Sequence, residues 1–119
     1  MREPKAATTS IHGRPVHPGT LLRAHVLPAL RLSVSQAARD LAIARQTLHR
    51  ILAGEAAITP DMALRLERLC GVSSGFWLNC QHRHERHRLQ STMADQLRRI
   101  PARRLPPEII AQIGAHDAH

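Results

Sequence analysis

The chain has no tyrosine, one phenylalanine and one tryptophan, so its interior must be filled almost wholly by aliphatic side chains. Leu, Ala, Ile and Val in those proportions favour helices over sheets. Two cysteines, Cys70 and Cys80, are too few for a disulfide framework, and both fall in apolar helical patterns as small buried hydrophobes. The opening MREPKAATTS lacks the apolar stretch of a secretory signal, and no run approaches the roughly 20 apolar residues of a membrane-spanning helix. A reduced, cytoplasmic protein with no membrane partner is expected. There is no Gly-rich phosphate loop, no Ser/His/Asp set at a recognisable spacing and no pair of carboxylates in an apolar setting. These gaps argue against an enzyme, and no cofactor, metal or small-molecule substrate is expected.

What the chain does have is positive charge. Its 17 Lys plus Arg stand against 9 Asp plus Glu, a formal net charge of +8, and all but Lys5 of the cations are arginine. Such a field draws polyanions, and the planar guanidinium fork suits phosphates and guanine edges. Nucleic acid is the leading partner on charge alone. His82, His84 and His87 sit among Arg83, Arg86 and Arg88; only His84 and His87 share a helix face, and the adjacent cations disfavour a metal ion. Across residues 83–104 the only acids are Glu85 and Asp95. This segment reads as a solvated basic face or as one that tracks phosphate or flanks a dimer contact.

At 119 residues the chain allows one domain plus a tail. Residues 1–15 are polar and aperiodic and read as a loose arm, residues 16–90 as the folded domain, and residues 91–119 as a tail that could dimerise. A first helix is expected over residues 18–27, with Pro18 in its first turn, Leu21, Leu22, Val26 and Leu27 inward, and Pro28 as its stop. Thr59 with Pro60 and Asp61 predicts a helix start, Met62, Ala63, Leu66 and Leu69 its buried face, and Gly71 its end. Ser73 or Ser74 then opens a fifth helix reaching about residue 90, in which Phe76 and Trp77 close the core. Met93, Leu97 and Ile100 suit another helical stretch, and Pro107 with Ile109, Ile110 and Ile113 a last one, although Pro101, Pro106 and Pro107 equally suit an extended tail.

The segment LSVSQAARDLAIARQTLHRILAG, residues 32–54, carries the argument. Ser35 can cap a short helix with Ala37, Ala38 and Leu41 inward; the pattern breaks around residues 42–44; a second helix then runs over residues 45–53 with Leu48, Ile51 and Leu52 buried and Gly54 as its stop. Two short helices crossing steeply need a small residue at the crossing, which Ala38 supplies. The expected fold is all-α, a five-helix phage-repressor-like helix-turn-helix domain with its motif over residues 34–54.

In such a motif the second helix enters the major groove. Arg45, Gln46, Thr47, His49 and Arg50 are then the base-reading candidates: Arg grips guanine bidentately, Gln pairs with adenine, and Thr bonds a base or touches a thymine methyl. Ser35 and Gln36, at the start of the preceding helix, are the candidates for holding backbone phosphate. One motif buries too little surface for tight specificity, so a homodimer spanning two half-sites of double-stranded operator DNA is expected.

With these residues in place the chain resembles the HigA family of antitoxins, helix-turn-helix regulators related to phage repressors. The resemblance rests on HPGTLLRAHVLPAL at 17–30, the segment at 32–54, and ITPDMALRLERLCGVSSGFWLN at 58–79, and covers residues 15–90. It implies a bacterial, cytoplasmic homodimer that represses its own operon and binds a HigB-like toxin, typically a ribosome-dependent mRNA endonuclease. It also implies DNA reading at Arg45, Gln46, Thr47, His49 and Arg50. Two positions depart from the pattern: Ala42 stands where the turn usually has Gly, and Ala44 where Ser usually caps the recognition helix. The competing readings are a stand-alone regulator without a toxin and an antitoxin whose motif no longer binds DNA.

Overall fold

The computed structural model describes residues 10–11 and 14–116. Short strands β1 (Ser10–Ile11) and β2 (Arg14–Pro15) pair antiparallel, Ser10 opposite Pro15 and Ile11 opposite Arg14. The other regular elements among the described residues are helices. Helix α1, residues 18–30, is assembled from Pro18–Leu21, a π-helical turn Leu22–Val26 and Leu27–Leu30. It is followed by α2 (Val34–Leu41), α3 (Arg45–Leu52), α4 (Pro60–Cys70), α5 (Ser74–Thr92), α6 (Ala94–Arg98) and α7 (Pro107–His116). Most of the expected loose arm, residues 1–9 and 12–13, lies outside the described residues. At Val16, where the folded domain is expected to begin, the residue is buried and its carbonyl accepts from the buried Cys80 thiol of α5 at 3.6 Å.

Two expectations are corrected. The first helix does not stop before Pro28. Proline has no N–H and its ring crowds the carbonyl four residues back. Here the preceding turn widens, the Leu27 N–H bonding Leu22 O five residues back, and the helix passes through Pro28 to Leu30. Nor is Ser35 the cap of α2: Ser33 is extended (φ −72°, ψ 162°) and its Oγ accepts from the Gln36 N–H at 3.0 Å. Ser33 and Ser35 are two residues apart and chemically alike, and only the backbone distinguishes them. The other caps fall as read. Thr59 Oγ1 accepts from Met62 N at 3.2 Å with Pro60 in the first turn, and Ser73 Oγ accepts from Phe76 N at 3.1 Å.

Three helix ends share one closure, in which the chain turns through a left-handed residue while two amides return to the last carbonyls. At the end of α1 the turning residue is Arg31 (φ 54°), after α2 it is Ala42 (φ 58°), and after α3 it is Gly54 (φ 78°). At the helix-turn-helix turn the Ala42 N–H bonds Arg39 O at 3.1 Å and the Ile43 N–H bonds Ala38 O at 3.0 Å. For Arg31 and Ala42 this backbone costs about 1 to 2 kcal/mol each, because a Cβ crowds the following carbonyl.

The core draws on every helix from α1 to α5. Leu22, Ala37, Ala38, Leu41, Leu48, Ile51, Leu52, Met62, Ala63, Leu66 and Trp77 are buried, the stripes expected from periodicity. Phe76 is only half-buried and meets Trp77 edge-on, ring centroids 5.5 Å apart, so of the two aromatics the tryptophan is the one buried in the core, with Leu22, Leu48 and Leu66. The helices α6 and α7 bury none of their residues, and Ile109, Ile110 and Ile113 of α7 are exposed.

Gly19 lets α1 and α3 touch backbone to backbone: a Cβ there would stand 1.9 Å from the Ile51 carbonyl oxygen. Gly19→Ala must therefore push the helices apart, and a loss of roughly 3 kcal/mol is expected in urea unfolding. In the opposite direction, Ala44 is the N-cap of α3 with no side-chain oxygen to offer (φ −67°, ψ 142°). Ala44→Ser restores an acceptor for the first-turn amides and should raise stability by about 1 kcal/mol, read as a higher Tm.

Candidate nucleic-acid interface

The candidate surface is α3, and its position is fixed at both ends by arginines from other helices. At the turn that precedes it, Arg65 of α4 donates from Nη1 to Leu41 O at 2.7 Å and to Ala42 O at 3.3 Å, while its Nε bonds Asp61 Oδ1 at 2.6 Å. At its far end, Arg23 of α1 donates from Nη1 to Leu52 O at 2.8 Å. Terminal carbonyls carry the negative end of the helix dipole, so a guanidinium there stabilises each helix end as well as locating it. Neither arginine was singled out from the sequence. The Asp61–Arg65 spacing of four residues was visible there, but a contact to carbonyls 24 residues away has no local signal.

Held this way, α3 buries Leu48, Ile51 and Leu52 against the core and turns Arg45, Gln46, Thr47, His49 and Arg50 to solvent. Gln46, Thr47, His49 and Arg50 line one open groove together with Ala53 and Glu55. Arg45 stands at the start of the helix, exposed but outside that lining. Glu55 was not among the sequence candidates. A carboxylate at the end of this groove repels phosphate and can accept from cytosine N4, so it adds a selective element to a polar surface.

The other two candidates are placed differently. Gln36 is committed within α2: its Nε2 donates to Asp40 Oδ1 at 2.6 Å, its Oε1 accepts from Arg39 Nη2 at 2.7 Å, and its backbone amide is taken by Ser33. Ser35 is half-buried in the first turn of the same helix. Neither belongs to the groove lined by α3.

Behind α3 lies His17, buried, whose Nδ1 accepts from the Gly19 N–H at 2.9 Å and so caps α1. Burial holds its pKa below the ordinary imidazole value, reinforced by the neighbouring His84, whose ring meets it edge-on at 5.1 Å. The Ala56 carbonyl and Glu85 act in the opposite sense. The neutral ring is thus the one that fits between α1, the loop after α3 and α5.

A family model described as Helix-turn-helix matches residues 22–77. The uncharacterized HTH-type transcriptional regulator YddM of Escherichia coli (strain K12) is 36% identical over 84 residues, covering 70% of this chain and 88% of YddM. Among solved structures, an addiction module antidote protein of a HigA family from Coxiella burnetii superposes with a TM-score of 0.69 at 31% identity, over 76% of this chain and 99% of that one. The Pseudomonas aeruginosa antitoxin HigA, solved with the higBA promoter, gives a TM-score of 0.70 at 30% identity, over 77% of this chain and all of that one (100%). The pattern of core, caps and turn described above, with these likenesses, places the chain in the HigA family of helix-turn-helix antitoxins and regulators.

Proposed function

We propose that this protein is a sequence-specific DNA-binding antitoxin, acting in the cytoplasm as a homodimer that represses its own promoter and holds a HigB-like mRNA endonuclease inactive. The observation that carries the DNA half is the exposed polar face of α3, anchored at both ends by Arg65 and Arg23. A recognition helix must present donors and acceptors in a fixed orientation, because a bidentate pair with a base edge tolerates little displacement. The likeness to an antitoxin solved with a promoter supports the same reading.

In this mechanism α3 of each subunit enters the major groove, the two copies about one DNA turn apart. Gln46, Thr47, His49 and Arg50 meet base edges from the groove they line, and Arg45 reaches a guanine or a phosphate from the start of the helix. Ser35 and Gln36 take a lesser part, steadying α2 against the backbone. The uncovered apolar face of α7, Ile109, Ile110 and Ile113, supplies a surface for the second subunit or the toxin. The likeness to YddM favours a second reading, a stand-alone transcription regulator that shares the DNA mechanism and has no toxin.

Arg45→Ala is expected to cost about 1 to 3 kcal/mol on the operator and much less on random DNA, measured by mobility shift or anisotropy. An equal loss on both would make Arg45 a phosphate contact. Co-expression with the product of an adjacent short reading frame separates the two readings: rescue of growth with a co-purifying complex establishes the antitoxin, and a neighbour that is neither toxic nor bound establishes the stand-alone regulator.

A further inference from the structure

The groove of α3 is not the only concave surface at this end of the molecule. A second cleft, of about 720 Å³, opens between β2, α1, the C-terminal end of α3 and the second half of α5, and it meets the first at Ala53, which lines both. Its cationic side chains come from three separate elements: Arg14 from β2, Arg23 from α1 and Arg88 from α5, with the imidazoles of His84 and His87 beside them. None of the described residues lining it is a carboxylate. Arg88 is partly offset by Glu85, at 2.6 Å on the same helix, and Arg23 spends one N–H on Leu52 O while keeping its full charge. Arg14 and Arg88 are exposed at its wall, and the hydroxyls of Thr20 and Ser91 add neutral donors. The buried Nδ1 of His84 has no hydrogen-bond partner among the described residues.

Three guanidiniums from distant parts of the sequence line one cleft with no carboxylate among its described lining residues, a surface whose field attracts an anion. We propose that this cleft binds a phosphate group of the DNA backbone immediately beyond the base pairs read by α3. The proposal rests on the DNA-binding reading above and extends its footprint. A DNA phosphate is favoured over a free one because the cleft is continuous with the groove of α3 at Ala53, so a strand leaving that groove passes over it. Contacts of this kind fix register and raise affinity without reading sequence.

The test compares two duplexes with full-length protein: one ending at the base pairs of each half-site and one extended by several base pairs on both sides. Arg14→Gln and Arg88→Gln, both at exposed positions, should each lower the slope of log K against log salt by about one on the extended duplex and leave the short duplex unchanged. Arg14→Lys should restore the slope, since charge is what the site needs. Unaltered melting temperatures establish that the variants fold. Wild-type slopes for both Gln variants on the extended duplex would overturn the proposal. So would shifts of the cleft's amide resonances on adding pyrophosphate to the DNA-free protein without any slope change, which would assign the cleft to a free phosphate ligand. Failure of the DNA-binding reading looks different: the wild type would not then distinguish operator from random duplex, and Arg45→Ala would change nothing.

Discussion

Peptide carbonyls at the end of a short helix have no partner within it, and a helix whose job is to present a polar face cannot leave them to settle by chance. Here the last carbonyls of α3 are met from several directions within one small volume. Gly19 of α1 comes so close to Ile51 O that no Cβ fits between, Arg23 donates to Leu52 O, and the amides of Gly54 and Glu55 return to Ile51 O and Arg50 O. This backbone contact sets the distance between α1 and α3. It therefore also sets how Leu48 and Ile51 seat in the core and which way Gln46 to Arg50 face. His17 belongs to the same knot, capping α1 beside Gly54 and kept neutral by its burial.

The opposite end of α3 is built more loosely. Ala42 turns the chain in a conformation that suits glycine, and Ala44 caps without an oxygen. The cost is met from outside the motif, by Arg65 bridging the turn carbonyls to Asp61. The asymmetry has a functional side. The amides of the first turn of α3 are not tied up by a cap, and the start of a helix is where a DNA phosphate binds well.

Positive charge is distributed in the same spirit. The arginines that anchor α3 sit on carbonyls, and those of β2 and α5 gather around a neighbouring cleft. On α7, by contrast, the dominant feature is exposed isoleucine on a helix with no buried residue. A ten-residue helix is marginal alone in water, so its order in the working protein depends on what covers that face.

The sequence by itself determined the helices and their inner faces, because 3.6-residue periodicity, capping Thr59 and Ser73, and stops at Gly54 and Gly71 are local signals. It also determined the set of exposed side chains on α3, which follows directly once Leu48, Ile51 and Leu52 are assigned inward. Even the weak points at Ala42 and Ala44 were legible, as missing glycine and missing serine. What lay beyond it were matters of one bond or of distance along the chain. Whether Ser33 or Ser35 caps α2, and whether Pro28 ends a helix or only widens its turn, depend on backbone angles that neighbouring residues share almost equally. That Gln36 is spent within its own helix, that Arg65 holds the turn before α3 and Arg23 its last carbonyl, and that Arg14 and Arg88 line one cleft were decided only by tertiary structure. Those contacts join residues 23 or more positions apart or choose among equivalent local partners, and neither leaves a periodic trace in the sequence.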